Sequence, residues 1–363
     1  MKIAIIHHWL INMRGGEKVL EALCELFPDA DIFTHVYQAN KFQNSIISKH
    51  RIYTTFIAKL PFATKLYQSY LPIMPLALEE LDLSEYELII SIESGPAKGI
   101  IPAPGVPHIC YCNSPMRYVW DMYAGYKLKM GRFKRFISAP LFHYIRRWDQ
   151  LTSQQVTSFI ANSHFISDRI KSYYGRTSEV IYPPVNIDEF ELSDHSEDYY
   201  LMLGQLVSYK RVDLAVNAFN QTGKKLIIIG EGEQLDTLKS IAKPNIQFLG
   251  YQPTAKVKEY LMKCKALIFP GIEDFGIVPV EAMACGKPVI AFAKGGALDS
   301  VINDVTGILF HPQTENSLND AVLYFEKNIE KFNPNVIRKH ALSFSKEAFK
   351  IKIQNHINNV INQ

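Results

Sequence analysis

Short apolar runs alternate with stretches in which apolar residues recur every three or four positions, and they do so along most of the chain. The runs read as buried strands and the recurrences as amphipathic helices, so the alternation predicts parallel sheets covered by helices. Ile3–Ile6 is the first strand, Asn12–Gly16 a polar turn, and Val19, Leu20, Leu23, Leu26 and Phe27 share one helical face. Residues 51–83, rich in aromatic and aliphatic side chains but broken by Pro61, Pro72 and Pro75, predict short helices between loops. Strands follow at Tyr86–Ile92, His108–Cys112 and Val156–Ala161, and Ser163 caps a helix that stops at Gly175. Beyond Pro183 and Pro184 the alternation restarts, with strands at Tyr199–Leu206, Lys225–Gly230, Asn245–Gly250, Ala266–Phe269, Val289–Phe292 and Ile308–Phe310. The last segment places Phe349, Ile353, Ile357 and Val360 on one helical face. Two doubly wound α/β domains are the expected outcome.

The densest chemistry falls in ALIFPGIEDFGIVPVEAMACGKPVIAFAKGGALDS, Ala266–Ser300. A buried strand leads into a loop over 270–278, and Pro279–Cys285 reads as a short helix with Pro279 at its first position and Gly286 at its stop. Glu273 and Asp274 therefore lie beyond the carboxyl end of a strand, ahead of helix amides free to bind an anion. Glu281 falls in the first turn of that helix, where the dipole favours a carboxylate. Either carboxylate alone reads as solvated or dipole-complementing charge. Strand, acidic loop, glycine, proline, helix and the Gly295-Gly296 pair together read as a site for a polyol ligand whose phosphates lie on the helix amides.

This stretch resembles the E-x7-E motif and its surroundings in glycosyltransferase family 4, retaining nucleotide-sugar transferases with the GT-B fold. The resemblance covers nearly the whole chain and implies two Rossmann-like domains facing a central cleft. The first would span residues 1–182 on the acceptor side, the second residues 183–344 on the nucleotide-sugar side, with the helix 345–363 crossing back to the first. It also implies that Glu273 holds hydroxyls of the donor sugar, with Phe275, Gly276 and Ile277 beside it, and that Glu281 holds the ribose. The run VIYPPVNIDEF resembles the family's interdomain hinge.

Three other motifs bear on the site. RGGEKVL places Gly15 and Gly16 at a strand-to-helix turn, where absent Cβ atoms let backbone amides approach a ligand. By the resemblance, Gly16 approaches the donor phosphates and the acceptor, and Gly15 lies on the acceptor side. In LGQLVSYKRVDLAVNAF, Lys210 and Arg211 open a helix and suit a diphosphate. The family usually reads G-R-L-x-x-x-K there, so Lys210 matches the lysine while Gln205 stands in place of the arginine. NSPMRYVWD, with Arg117, resembles the H-T-P-M-R-Y loop of transferases that build O-antigen and capsule chains. Asn113 occupies the histidine position; it can hydrogen-bond but carries no proton at neutral pH. The loop GEGE, Gly230–Glu233, resembles the nucleotide-side turn.

Composition narrows the remaining possibilities. With 363 residues, 47% hydrophobic and 21% charged, the chain is long enough for two cores. A net charge of +3 gives no ground for a nucleic-acid partner. Five cysteines in apolar contexts read as reduced thiols of a cytoplasmic protein, and Cys110-x-Cys112 lacks metal-site spacing. MKIAIIHHWL reads as a strand rather than a signal peptide, and no apolar stretch reaches the length of a membrane span. Residues 127–147 interleave seven basic residues with aromatic and aliphatic ones, a solvated helix face or a patch that leans on anionic lipid headgroups at the inner face of the plasma membrane.

The resemblance implies a reaction that moves a hexose, mannose from GDP-mannose first or a UDP-sugar, to a glycan or lipid-linked glycan acceptor with retention. Lys210, Glu273 and Asn113 are its catalytic candidates. In the family this chain resembles, basic side chains and helix amides usually neutralise the leaving group, so the resemblance implies no metal or other cofactor. A hydrolase would instead flank a glycosidic bond with two carboxylates. A catalytically weak nucleotide-sugar-binding scaffold of a polysaccharide assembly complex is the other alternative, motivated by Asn113 and Gln205.

Overall fold

The computed structural model describes residues 1–121, 123 and 131–362, those at 132–138 by their backbone alone. The chain forms two compact units, Met1–Pro183 together with the segment from Phe349 onward, and Pro184–Ala348.

In the first unit seven strands pair in parallel: β1 (Ile3–His7), β2 (Asp31–Thr34), β3 (Ile52–Thr54), β4 (Leu88–Glu93), β5 (His108–Cys112), β6 (Ser158–Ala161) and β7 (Ser178–Val180). Their order is β3-β2-β1-β4-β5-β6-β7. β1, β2, β4 and β5 are buried throughout, as a parallel sheet covered on both faces requires. The sequence pattern missed β2, β3 and β7, because β2 (DIFT) and β7 (SEV) carry charged residues and β3 (IYT) is half-exposed or exposed, so none shows as an apolar run.

Helix Gly15–Leu26 packs Val19, Leu20 and Leu23 on one face of this sheet. Phe349, Ile353 and Ile357 of helix Lys346–Ile361 join the same cluster, and the His356 ring contacts Ser158 Oγ at 3.0 Å and Glu179 Oε2 at 2.6 Å. The other face packs on Ala4, Ile6, Ile89, Met116 and Trp148. Ser163 accepts from the Ile166 amide at the start of helix His164–Tyr174, and Gly175 closes it in the left-handed conformation.

The second unit holds six parallel strands, β8 (Tyr200–Leu203), β9 (Leu226–Ile229), β10 (Ile246–Gly250), β11 (Leu267–Phe269), β12 (Val289–Phe292) and β13 (Gly307–Phe310), in the order β10-β9-β8-β11-β12-β13. Each sheet reverses its strand order once, between β1 and β4 in the first and between β8 and β11 in the second. In open α/β sheets such a reversal opens a crevice beyond the carboxyl ends of the strands, where ligands bind.

No described helix is long and apolar enough to cross a membrane. Of the basic-aromatic stretch 127–147, residues 127–130 and the side chains at 132–138 lie outside the described residues. The part that is described belongs to helix Arg132–Thr152 and exposes Leu141 and Tyr144.

Candidate functional site

In the second unit the reversal point brings together the loops after β8 and β11. The loop after β8 turns through Ser208–Lys210 and enters helix Val212–Thr222 with Arg211 in the left-handed region (φ 52°). That turn swings Lys210 back over its own strand: a Cβ built on Gly204 would lie 2.6 Å from Lys210 Nζ. Only glycine leaves room for the ammonium there. Lys210 Nζ then reaches Glu273 Oε1 at 2.9 Å, with both side chains mostly buried. Sequence separation hid this pair, because Lys210 and Glu273 read as independent charges on different loops.

The loop bearing Glu273 is held by backbone. Gly296 N–H donates to the Glu273 carbonyl at 2.9 Å, and a Cβ on Gly296 would lie 2.2 Å from Phe275 Cα. The Gly295-Gly296 pair is thus a seat on which residues 273–275 rest. The Phe275 ring is buried and meets Phe344, so its backbone rather than its ring is available beside Glu273.

The following helix runs Ile277–Ala284, starting two residues before Pro279. Gly276 at φ 85° makes the entry, and proline is as acceptable at the third helical position as at the first, since neither amide has a partner within the helix. Gly276 makes no side-chain cap bond, and the Ile277 and Val278 amides have no partner within the helix. Glu281 accordingly lies in the second turn, not the first, and the dipole argument for it weakens. It stands eight residues from Glu273, on the helix that the loop feeds.

Gln205 lies on the exposed turn after β8. Arg211 differs from the sequence expectation of a cation directed at the ligand. Its Nε lies 3.2 Å from both Asp213 carboxylate oxygens and its Nη1 donates to Gln313 at 3.2 Å. Of the two basic residues, Lys210 is the one aimed at the acidic loop.

In the first unit the corresponding edge carries Gly15, Gly16, Asn113 and Arg117. Gly15 and Gly16 are the first two residues of helix Gly15–Leu26 rather than part of the turn before it. Glu17 at the third position accepts the Arg14 amide at 2.8 Å and so closes the helix start. Asn113 follows β5; its N–H donates to the Glu93 carbonyl at 2.8 Å and its carbonyl accepts from Asn162 Nδ2 at 3.0 Å. Its side-chain amide nitrogen is buried with no hydrogen-bond partner. A Cβ on Gly16 would lie 3.5 Å from that nitrogen and 3.6 Å from His7 Nε2, so Asn113 and Gly16 face one spot. Arg117 Nε lies 3.4 Å from Ser114 Oγ in the loop that Asn113 opens.

Sequence reasoning did not single out His7, His8, Glu17 and His35, which ring this edge. In the sequence His7 and His8 are simply part of MKIAIIHHWL and Glu17 part of RGGEKVL, with no spacing that links them. It also missed a fully buried network behind them, in which Lys98 contacts Asp149 and lies 3.5 Å from Glu93 Oε1. Trp120 Nε1 and Tyr174 OH donate to Asp149 at 2.7 and 2.9 Å. Burial works against the Lys98 charge, but Asp149 and Glu93 outweigh it and hold its pKa above the ordinary lysine value. Burial likewise pushes Glu93 up, against the pull of Lys98. The network ties the loop after β4 to helix Arg132–Thr152.

Two parallel, doubly wound units with these loops define a GT-B transferase fold. Two family models match in tandem: glycosyltransferase family 4 over residues 13–189 and glycosyl transferases group 1 over residues 186–341. The chain belongs to glycosyltransferase family 4. An alpha-1,3/1,6-mannosyltransferase of Kluyveromyces lactis is 26% identical over 283 residues, 59% of this chain and 56% of that protein. The O-antigen chain mannosyltransferase of Salmonella typhimurium is 26% identical over 219 residues, 56% of this chain and 60% of that one. The chain thus spans little more than half the length of these curated relatives. Among solved structures, Anabaena HepE in complex with UDP superposes with a TM-score of 0.74 at 17% identity, over 99% of this chain and 100% of that one.

Proposed function

We propose that the protein is a retaining hexosyltransferase that moves mannose from GDP-mannose to a growing, lipid-linked polysaccharide acceptor. The observation that carries this reading is the Lys210–Glu273 pair, with Glu273 on the loop that feeds the start of helix Ile277–Ala284. An ammonium has three donors and a carboxylate four lone-pair sites, so each can keep the other and still take a ligand. A diphosphate brings about two negative charges to Lys210 and to the Ile277 and Val278 amides, which favour an anion at a helix start. Glu273 then accepts from sugar hydroxyls, and the Phe275–Gly276 backbone lies alongside. Glu281 takes the ribose hydroxyls from the next turn.

In this scheme the leaving diphosphate is stabilised where its charge develops, by a cation and dipoles that are already in place. Gln205 offers a neutral amide where the family usually has arginine, and Arg211 is held by Asp213, so Lys210 does most of this work. Mannose rests on the two mannosyltransferase relatives, and a polysaccharide acceptor on the O-antigen relative. A lipid-linked acceptor would bring the protein to the cytoplasmic face of the plasma membrane.

The test is nucleotide binding by calorimetry alongside turnover of GDP-mannose. Lys210→Ala should weaken GDP binding and abolish transfer. Glu281→Ala should weaken binding, and Glu273→Ala should mainly reduce transfer. Equal GDP affinity in the wild type and Glu281→Ala would remove the ribose assignment. If wild type binds nucleotide but turns over no donor, while Asn113→His with Gln205→Arg restores turnover, the scaffold reading replaces this one.

A further inference from the structure

Beyond the residues discussed for the donor, the first unit holds a group of buried polar atoms that its own fold leaves unused. His7 is 1% exposed and Glu17 5%, and both sit at the strand-order reversal between β1 and β4. His7 Nε2 has no hydrogen-bond partner. It faces Glu17 Oε1 at 4.0 Å, too far for a hydrogen bond between them. The Asn113 amide nitrogen is also buried and unpartnered, and it flanks with His7 Nε2 the space above Gly16 that any other residue's Cβ would enter. A buried polar group without a partner costs free energy, so two such groups flanking one spot at a ligand-binding edge, with the Glu17 carboxylate 4.0 Å from His7, point to a ligand atom.

We propose that His7, Glu17 and Asn113 form a cradle over Gly16 that holds one sugar hydroxyl. The inference rests on the transferase reading above and adds two residues to it. An oxygen placed about 2.8 Å from both His7 Nε2 and Glu17 Oε1 would subtend an angle of roughly 90°, within reach of a hydroxyl that donates to one and accepts from the other. The Asn113 amide donates to its remaining lone pair.

The electrostatics favour a neutral hydroxyl over a phosphate. Burial lowers His7 to about 4, and it lowers His35 to about 3. Burial, with His7 and His35 beside it, also holds His8 well below the ordinary histidine value. All three rings are uncharged at neutral pH. Glu17 is raised to about 7 by burial, against the Arg14 amide and charge, with Glu21 adding to the rise from the same helix. A site of neutral imidazoles and a half-ionised carboxyl supplies hydrogen bonds and no cation.

The hydroxyl belongs to the acceptor or to the donor sugar, and binding measurements separate the two. The probes are octyl α-mannoside with its monodeoxy derivatives, and GDP-mannose with its monodeoxy derivatives against GDP itself. They are applied to wild type, His7→Phe and Glu17→Gln. Loss of the cradled hydroxyl should weaken binding to wild type by about tenfold, as removal of a partner from buried polar groups does. In His7→Phe the parent compound should lose about as much, and the deoxy derivative should lose nothing more. Non-additivity at one hydroxyl of the mannoside assigns an acceptor contact, and at one hydroxyl of GDP-mannose a donor contact. Variant and deoxy effects that add at every hydroxyl of both series, or no sugar-dependent binding in either, overturn the cradle. Unchanged affinity for GDP itself in the same variants shows that such a failure concerns the cradle and not the nucleotide site.

Discussion

Replacing Glu17 with glutamine gives the sharpest quantitative test of the first unit's electrostatics. Glu17 titrates near 7 in the folded chain against an ordinary value of 4.5, because burial penalises its charged form. The folded state therefore binds more protons than the unfolded state between those two values. The stability this contributes is present below pH 4.5 and is lost as pH rises through 7. At about 1.36 kcal/mol per unit, the window is worth roughly 3 kcal/mol. Glutamine keeps the size and still accepts the Arg14 amide, so the helix start survives while the titration disappears. His7, His8, His35 and His108 are shifted the other way and cost stability as pH falls below 6.5, but they are common to both proteins and drop out of the difference. Trp9, Trp120 and Trp148 all lie in the first unit, so urea unfolding followed by tryptophan fluorescence reports on that unit alone. Wild type minus Glu17→Gln should fall by about 3 kcal/mol from pH 4.5 to pH 8. A difference that stays flat over that range would show instead that the Glu17 carboxyl is in contact with water.

Three further outcomes follow from the same geometry. Gly16→Ala meets only ordinary contacts and sits inside a helix, so unfolding should show it as stable as wild type or up to about 1 kcal/mol more so. Its affinity for the cradled sugar should nonetheless drop, and equal affinity would count against an occupied space above Gly16. Lys98→Met strands two buried carboxylates and should cost about 3–5 kcal/mol in urea unfolding, whereas a loss below about 1 kcal/mol would mean the network is hydrated. Gly296→Ala forces the Phe275 backbone to move and should weaken nucleotide binding about tenfold while leaving tryptophan-detected unfolding unchanged. Calorimetry with undiminished affinity would show that residues 273–275 do not depend on their seat.

How much of this was legible in the sequence varied with the range of the interaction. The long buried strands announced themselves, because β4 and β5 are mostly apolar and β9 wholly so, and so did the stop at Gly175. The loop with Glu273, Gly276 and Glu281 was legible as a unit because its chemistry is local. The true start of helix Ile277–Ala284 was not, since it depends on the φ of Gly276 and not on the proline that marks it. Nor were the contacts that fold the chain onto itself: Lys210 with Glu273, or Lys98 with Asp149 across 51 residues. Glu17 was hidden for a different reason. Its role at the helix start follows a pattern normally read from serine or threonine at the cap, and here the cap is Arg14.

Transfer of a hexose from a nucleotide sugar with retention is directly measurable. Purified protein incubated with GDP-mannose and octyl α-mannoside, with UDP-glucose as the competing donor, tests it through proton NMR of the product and assay of the freed nucleotide. The expected result is an α-linked disaccharide with one GDP released per bond formed, and loss of both in Lys210→Ala. A β-linked product would contradict retention, and no nucleotide released from either donor by a protein that binds neither would contradict the transferase itself.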